Sequence, residues 1–210
     1  MKSNINIDMQ GHVKIFDVDT GEVFVDKPNK IHSENMSRCI ANTLSNKDNF
    51  TLYEMHFGSD GTITDAQGNI SYREPKVNLA NDDLYADKFF KNIDTLDADN
   101  DDTANNKMEI VYADGSAYTD IVITSTLAYD EPASSDTNFN LSSPIVSQNT
   151  VDNSDGQFIF DEIGLKSKSV DGRNQGLLLS HVIFHPVEKS ANRKIQVLYT
   201  IRIRTNYVAT

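Results

Sequence analysis

From Lys194 to Tyr207 the chain alternates. Ile195, Val197, Tyr199, Ile201 and Ile203 fall on one side, and Gln196, Thr200, Arg202 and Arg204 on the other. A sustained period of two predicts a long strand with one buried face and one wet face. Tyr118–Tyr129 repeats the signature, with Ile121 and Ile123 against Val122 and Thr124. Shorter runs predict further strands. His12–Asp17 and Glu22–Asp26 flank the hairpin signal Asp19-Thr20-Gly21, with Pro28 closing the unit. Leu52–Phe57 is stopped by Gly58-Ser59-Asp60-Gly61, and Met108–Ala113 turns at Asp114-Gly115. Gln157–Leu165 and Leu177–His185 follow, the latter stopped by Pro186.

One segment has a different period. Met36, Cys39, Ile40, Thr43 and Leu44 recur at helical spacing, with Ser33 placed as N-cap and Glu34 in the first turn. This predicts one packed α-helix near residues 33–46. About eight strands and one helix predict a mainly β chain, an antiparallel β-sandwich of jelly-roll type. We expect a single domain over 1–210 with an N-terminal arm at 1–10, an acidic insertion at 76–106 and a long polar loop at 130–156. Leu84, Tyr85, Phe89 and Ile93 roughly share a face, so a short helix is expected near Asp82–Asn92.

Charge sharpens this picture. The chain of 210 residues carries a formal net charge of −12. Half of it lies between Asn81 and Asp102, where eight aspartates face only Lys88 and Lys91. By contrast, His181–Thr210 is basic, with Lys189, Arg193, Lys194, Arg202 and Arg204 against Glu188. An acidic segment and a basic end suit head-to-tail contact between copies. The overall acidity disfavours a phosphate-binding surface, so no sequence-specific nucleic acid is expected. The first ten residues lack an apolar stretch, and no run approaches a membrane span, so neither a secretion signal nor a membrane partner is expected. A lone Cys39 makes no internal disulfide and falls on the helix's apolar stripe, as a core residue would.

Candidate chemistry is sparse. Asp97, Asp99 and Asp101 alternate as calcium ligands do in a helix-loop-helix cation loop. Counting from Asp97, however, position six is Asp102 rather than glycine, position twelve is Met108, and Glu109 comes one residue late. The match is poor, so a solvated, self-repelling surface loop and no metal site are expected, with Asp97, Asp99 and Asp101 as the only candidates for a metal. His181 and His185 share one predicted strand but would sit about 13 Å apart, too far for one ion. Tyr53, Tyr72 and Tyr112 are the available sugar platforms. No nucleophile elbow, phosphate loop or zinc-protease motif occurs. We therefore expect no enzymatic activity and no cofactor. In Phe158–Leu165, Asp161 and Glu162 interrupt an apolar strand and want partners if buried. Arg202 and Arg204 are candidates for them, within the chain or across a subunit boundary, which makes all four interface candidates.

Two stretches carry a resemblance. One is Ile31-His32-Ser33-Glu34-Asn35-Met36 with its helix, running on into Met55-His56-Phe57-Gly58-Ser59-Asp60-Gly61-Thr62. The other is Phe158-Ile159-Phe160-Asp161-Glu162-Ile163-Gly164-Leu165, then Leu177-Leu178-Leu179-Ser180-His181-Val182-Ile183-Phe184-His185-Pro186, Lys189 and the strand from Ile195 to Ile203. Together they resemble β-rich virion structural proteins of tailed bacteriophages, from the neck, tail and fibre-attachment region. The resemblance omits residues 76–155 and transfers no active site. It implies a non-enzymatic component of the virion, assembled in the host bacterial cytoplasm. The expected form is a ring- or collar-forming connector, neck or tail protein. Its partners would be itself in a symmetric homo-oligomer and other virion proteins, such as portal, tail or fibre proteins. The alternatives are a capsid decoration protein, or a glycan- or calcium-binding adhesin or fibre module.

Overall fold

The computed structural model describes residues 4–112, 114–133 and 158–208. The chain is mainly β, with one helix and an antiparallel, curled nine-stranded sheet of sandwich-like form. The elements of that sheet are β1 (Asn4–Asp17), β2 (Val23–Ile31), β3 (Leu52–Gly58), β6 (Asp87–Asn92), β7 (Lys107–Tyr112), β8 (Tyr118–Leu127), β9 (Phe158–Ser167), β10 (Leu178–Lys189) and β11 (Ile195–Val208). A small hairpin, β4 (Thr62–Thr64) and β5 (Ile70–Tyr72), stands apart, and α1 is Ser33–Leu44. Spatial order in the large sheet is β6-β3-β9-β10-β2-β1-β11-β8-β7.

The sheet bends at β2. Its residues Val23–Asn29 pair with β1, and then Lys30 and Ile31 cross to β10. One core fills the bend: Val13, Ile15, Ile123, Val197 and Tyr199 from one half, with Met55, Phe57, Ile163, Leu165 and Phe184 from the other. The alternation in β11 is realised as expected, with Ile195, Val197, Tyr199 and Ile201 buried and Arg202 and Arg204 outward. The apolar stripe of α1 brings Met36, Cys39 and Ile40 onto the same core. Burial pushes the Cys39 thiol up from its ordinary pKa, so it is a packing group.

From Asn4 onward the segment expected as an arm or a short edge strand is the first half of β1, paired along its length with β11. Several other expectations need correction. Pro28 does not close the hairpin. It lies inside β2 where that strand has a partner on one side only, a position proline tolerates. The helix is capped by His32, whose Nδ1 accepts from Asn35 N–H at 3.3 Å, rather than by Ser33. No helix forms at 82–92. Phe89 turns to the core while Phe90 stacks on His56 across the sheet, a period of two that makes β6 a strand. Pro186 does not stop β10. It sits in the irregularity between Ile183 and Val187, where no ladder bond is required of it. Of the expected loop at 130–156, only residues up to 133 lie within the described part.

Candidate functional site: a buried polar face under the acidic segment

The half-sheet β6-β3-β9-β10 has an apolar inner face and a polar outer one. Register aligns Phe90, His56, Gly164 and His181 in one row across its four strands. Glu54 pairs with Lys166 on one side of that row, and Gly58 with Glu162 on the other. Glu54, His56, Glu162, Lys166 and His181 are all at most 1% exposed. Their cover is the acidic segment, which folds back over the sheet. Gly164 makes room for it: a Cβ there would meet Leu84 Cδ1 at 2.5 Å and Leu178 Cδ1 at 2.7 Å.

Two charge clusters fasten the cover. In the first, His56 lies between carboxylates, with Nδ1 2.9 Å from Asp87 and Nε2 3.2 Å from Glu54. A carboxylate oxygen within hydrogen-bond distance of each ring nitrogen favours the protonated ring. Burial and the nearby Lys166 oppose that charge, but the contacts with Asp87 and Glu54 together outweigh them and raise the His56 pKa. Lys166 Nζ donates to Asp83 and Asp87, each at 2.9 Å, and to Asn174 Oδ1 at 3.1 Å. Burial likewise opposes the ionisation of Asp87, yet His56 and Lys166 hold its carboxyl down at about 2. Arg173 lies over the Phe90 ring and 3.9 Å from Glu54, so three cations face Glu54, Asp83 and Asp87.

In the second cluster, Glu162 accepts from the backbone N–H of Tyr85 at 3.0 Å and of Ala86 at 2.9 Å. Its third donor is His181 Nε2 at 2.9 Å. The other ring nitrogen, Nδ1, accepts from Lys76 N–H at 2.9 Å. Burial raises the Glu162 pKa against these stabilising contacts. One strand carboxylate and one strand imidazole thus hold both ends of the segment 76–86.

Asp161 is spent in the same way on a neighbouring turn. It accepts from Gly61 N–H (2.9 Å), Thr62 N–H (2.8 Å) and the Thr62 hydroxyl (2.5 Å), fixing the bend in which Asp60 takes φ +94°. At the far end of the sheet, Lys189 is fully buried and donates to Tyr129 C=O and Ser190 C=O, both at 3.1 Å. Burial lowers its pKa to about 8.

The sequence candidates are placed as follows. Asp161 and Glu162 are both buried, and their partners are the loops just described, not Arg202 or Arg204. Arg202 makes a bidentate pair with Asp120 (2.8 and 2.7 Å) and stacks on Tyr118. Arg204 is half-buried on the outer row of β11, opposite Asp8 and Tyr118. Asp97, Asp99 and Asp101 do not converge. Asp97 pairs with Lys168 at 2.9 Å, while Asp99 and Asp101 are exposed. Among the described residues no group of three or more His, Cys, Asp or Glu side chains is placed to hold a metal ion. The irregularity in β10 separates the two histidines, leaving His181 buried and His185 exposed, 3.4 Å from the Tyr72 hydroxyl. Sequence reasoning missed Glu54, His56, Asp87, Lys166 and Lys189 as a group. For Glu54, His56, Lys166 and Lys189 the available signal was position, as polar residues inside strands that register as central ones. Asp87, on β6 at the edge of the described sheet, carries no such signal.

Two concavities of the described surface bear on function. An apolar groove of about 490 Å³ lies between α1 and the sheet, walled by Met9, Met36, Ile40, Met108, Ile110 and Ile203. Leu44, Leu96 and Ile110 stand exposed along it. A more polar groove of about 750 Å³ runs past Gln10, His12, Asn29, Thr200 and Arg202, where β2 leaves β1. No protein-family model, no curated protein and no solved structure matches the chain. What stands on the geometry is the class: a mainly β, antiparallel curled sheet with one packed helix.

The clusters carry a pH signature. The raised His56 pKa stabilises the fold fully below the ordinary histidine value of about 6.5, and that part is lost as pH rises through the folded value. Asp87 stabilises above the ordinary aspartate value of about 3.9, and that part is lost as pH falls toward 2. Asp161 and Glu162, both raised, act in the opposite sense to Asp87, since their contribution fades as pH rises. The expected result is that Asp87→Asn flattens the acid limb between pH 4 and 2 by about 2 kcal/mol in urea-unfolding profiles. An acid limb of unchanged slope would contradict the pairing.

Proposed function

We propose that this chain is a non-enzymatic structural component of a tailed phage virion. Its form would be a ring- or collar-forming connector, neck or tail protein, in contact with copies of itself and with other virion proteins. One observation carries the reading: the buried ionisable groups of β3, β9 and β10 are consumed in fastening loops, while among the described residues no element covers the apolar groove beside α1. Apolar surface of this kind on a soluble chain marks a place for another protein. The stretches that resemble phage virion proteins fold as β3, β9, β10 and β11 and supply the clamps, which fits a scaffold role. A binding module, for glycan or calcium, is the alternative, favoured by the polar groove beside Asn29 and Arg202. A capsid decoration protein would share the fold.

The test is the mass of the purified chain by light scattering across a dilution series at moderate salt. We expect a discrete, closed homo-oligomer whose mass is independent of dilution until it dissociates. A monomer that is stabilised against heat by Ca²⁺ or by an oligosaccharide would favour the binding module instead.

A further inference from the structure

The four strands β1, β11, β8 and β7 form a ladder with two unpaired margins. At one end β7 is, among the described residues, the edge of the sheet, with Ile110, Val111 and Tyr112 exposed. At the other end β2 covers β1 only from Gly11 onward. Residues Asn4–Gln10 therefore pair with β11 on one side and, among the described residues, with no strand on the other. An unpaired strand margin presents backbone donors and acceptors that favour another strand. β7 carries no proline and its ladder with β8 is unbroken, and past its one charged pair, Lys107 and Glu109, the edge is apolar from Ile110 to Tyr112.

We infer that β7 of one copy adds to the free margin of β1 in the next, joining identical chains head to tail. This rests on the homo-oligomer reading above and names its contact surface. Three features specify a second copy as the occupant. The first is direction. Each neighbouring pair in the ladder is antiparallel, so β7 runs opposite to β1. A copy related by rotation alone therefore brings β7 against the next β1 in antiparallel sense, and the ladder continues from chain to chain. The second is facing. Met108 and Ile110 line the apolar groove on the inner side, and so does Met9 of β1. Ile7 lies on the same row as Met9 and is 52% exposed. Joining the margins lays one apolar row against the other.

The third feature is charge, and it sets the register. With Lys107 opposite Asp8, Met108 meets Ile7 and Glu109 meets Asn6. A shift of two residues one way puts Glu109 opposite Asp8, a like-charge pair that disfavours that register. A shift the other way puts Lys107 opposite Asn6 and loses the ion pair. Lys107 now pairs with Glu109 on its own strand at 3.1 Å. Both are accessible, so exchanging that partner costs little. The contact is heterologous, and a heterologous contact that closes makes a ring.

The test is a disulfide trap. Asp8→Cys and Lys107→Cys in one chain lie three strand spacings apart across the sheet, about 14 Å, and are displaced by about six residues along it, too far to bridge within a subunit. Oxidation of the double variant should give a ladder of covalent multimers that ends at the native assembly mass. Either single variant alone should give no species above dimer. As a second readout, Asp8→Lys and Lys107→Asp should each raise the concentration for half-assembly about three- to tenfold. Both changes in one chain should restore it, because every contact is then again of opposite charge. An assembled chain whose double variant traps no multimers would overturn the β7-to-β1 contact while leaving the homo-oligomer in place. A chain that stays monomeric at every concentration would overturn both.

Discussion

Replacing Lys166 by methionine is expected to lower the unfolding free energy by about 3–5 kcal/mol, the usual cost of removing one partner from a buried ionic group. The ammonium is 1% exposed and is shared by Asp83, Asp87 and Asn174. Without it, Asp87 keeps only His56, and the carboxylates beneath the cover outnumber the cations. The loss should appear in urea titrations as a lower midpoint at unchanged slope. Adding Asp87→Asn should recover part of it, because the uncompensated charge is then gone. A double variant as unstable as the sum of the two singles would show that the groups act independently and that the cluster reading is mistaken.

Glu162→Ala has an effect of comparable size and a more local consequence. The substitution leaves the N–H groups of Tyr85 and Ala86 and the Nε2–H of His181 without their acceptor in a site that water does not reach. Hydrogen bonds to a charged group are each worth about 1.5–3 kcal/mol, and orphaning buried donors is what makes the loss large. We expect about 3–5 kcal/mol of destabilisation. We also expect new protease cleavage within residues 76–86 under native conditions, with the strands intact. Glu162→Gln keeps an amide oxygen as acceptor and should lose markedly less. Equal losses for the two variants would mean that Glu162 acts through its volume rather than its bonds.

The strands were legible because burial on one face imposes a period of two that no tertiary contact disturbs. β11 is the clearest case, and α1 was equally plain at helical spacing. The polar face was not legible for the opposite reason. Lys166 and Glu54 are single residues in different strands, and only the register of β3 against β9 makes them neighbours. Segment 82–92 was misread because Leu84 and Phe89 share an apparent helical face by coincidence. Leu84 in fact seats over Gly164, while Phe89 enters the core. Asp161 and Glu162 stand out in sequence as polar residues of an apolar strand, but most of their partners are backbone N–H groups, which carry no sequence signature, and the arginines are not among them. The acidity of residues 81–102 invited a metal reading, whereas Asp83 and Asp87 face Lys166 and Asp97 faces Lys168.

The central claim is that the buried charges of β3, β9 and β10 hold the segment 76–86 down on the sheet. Amide hydrogen exchange at Lys76, Tyr85 and Ala86 measures this most directly. If the clamps hold as described, these three amides exchange slowly, by openings approaching global unfolding, although they belong to no strand. Exchange at the rate of an open loop, with the flanking strands still protected, would contradict the claim.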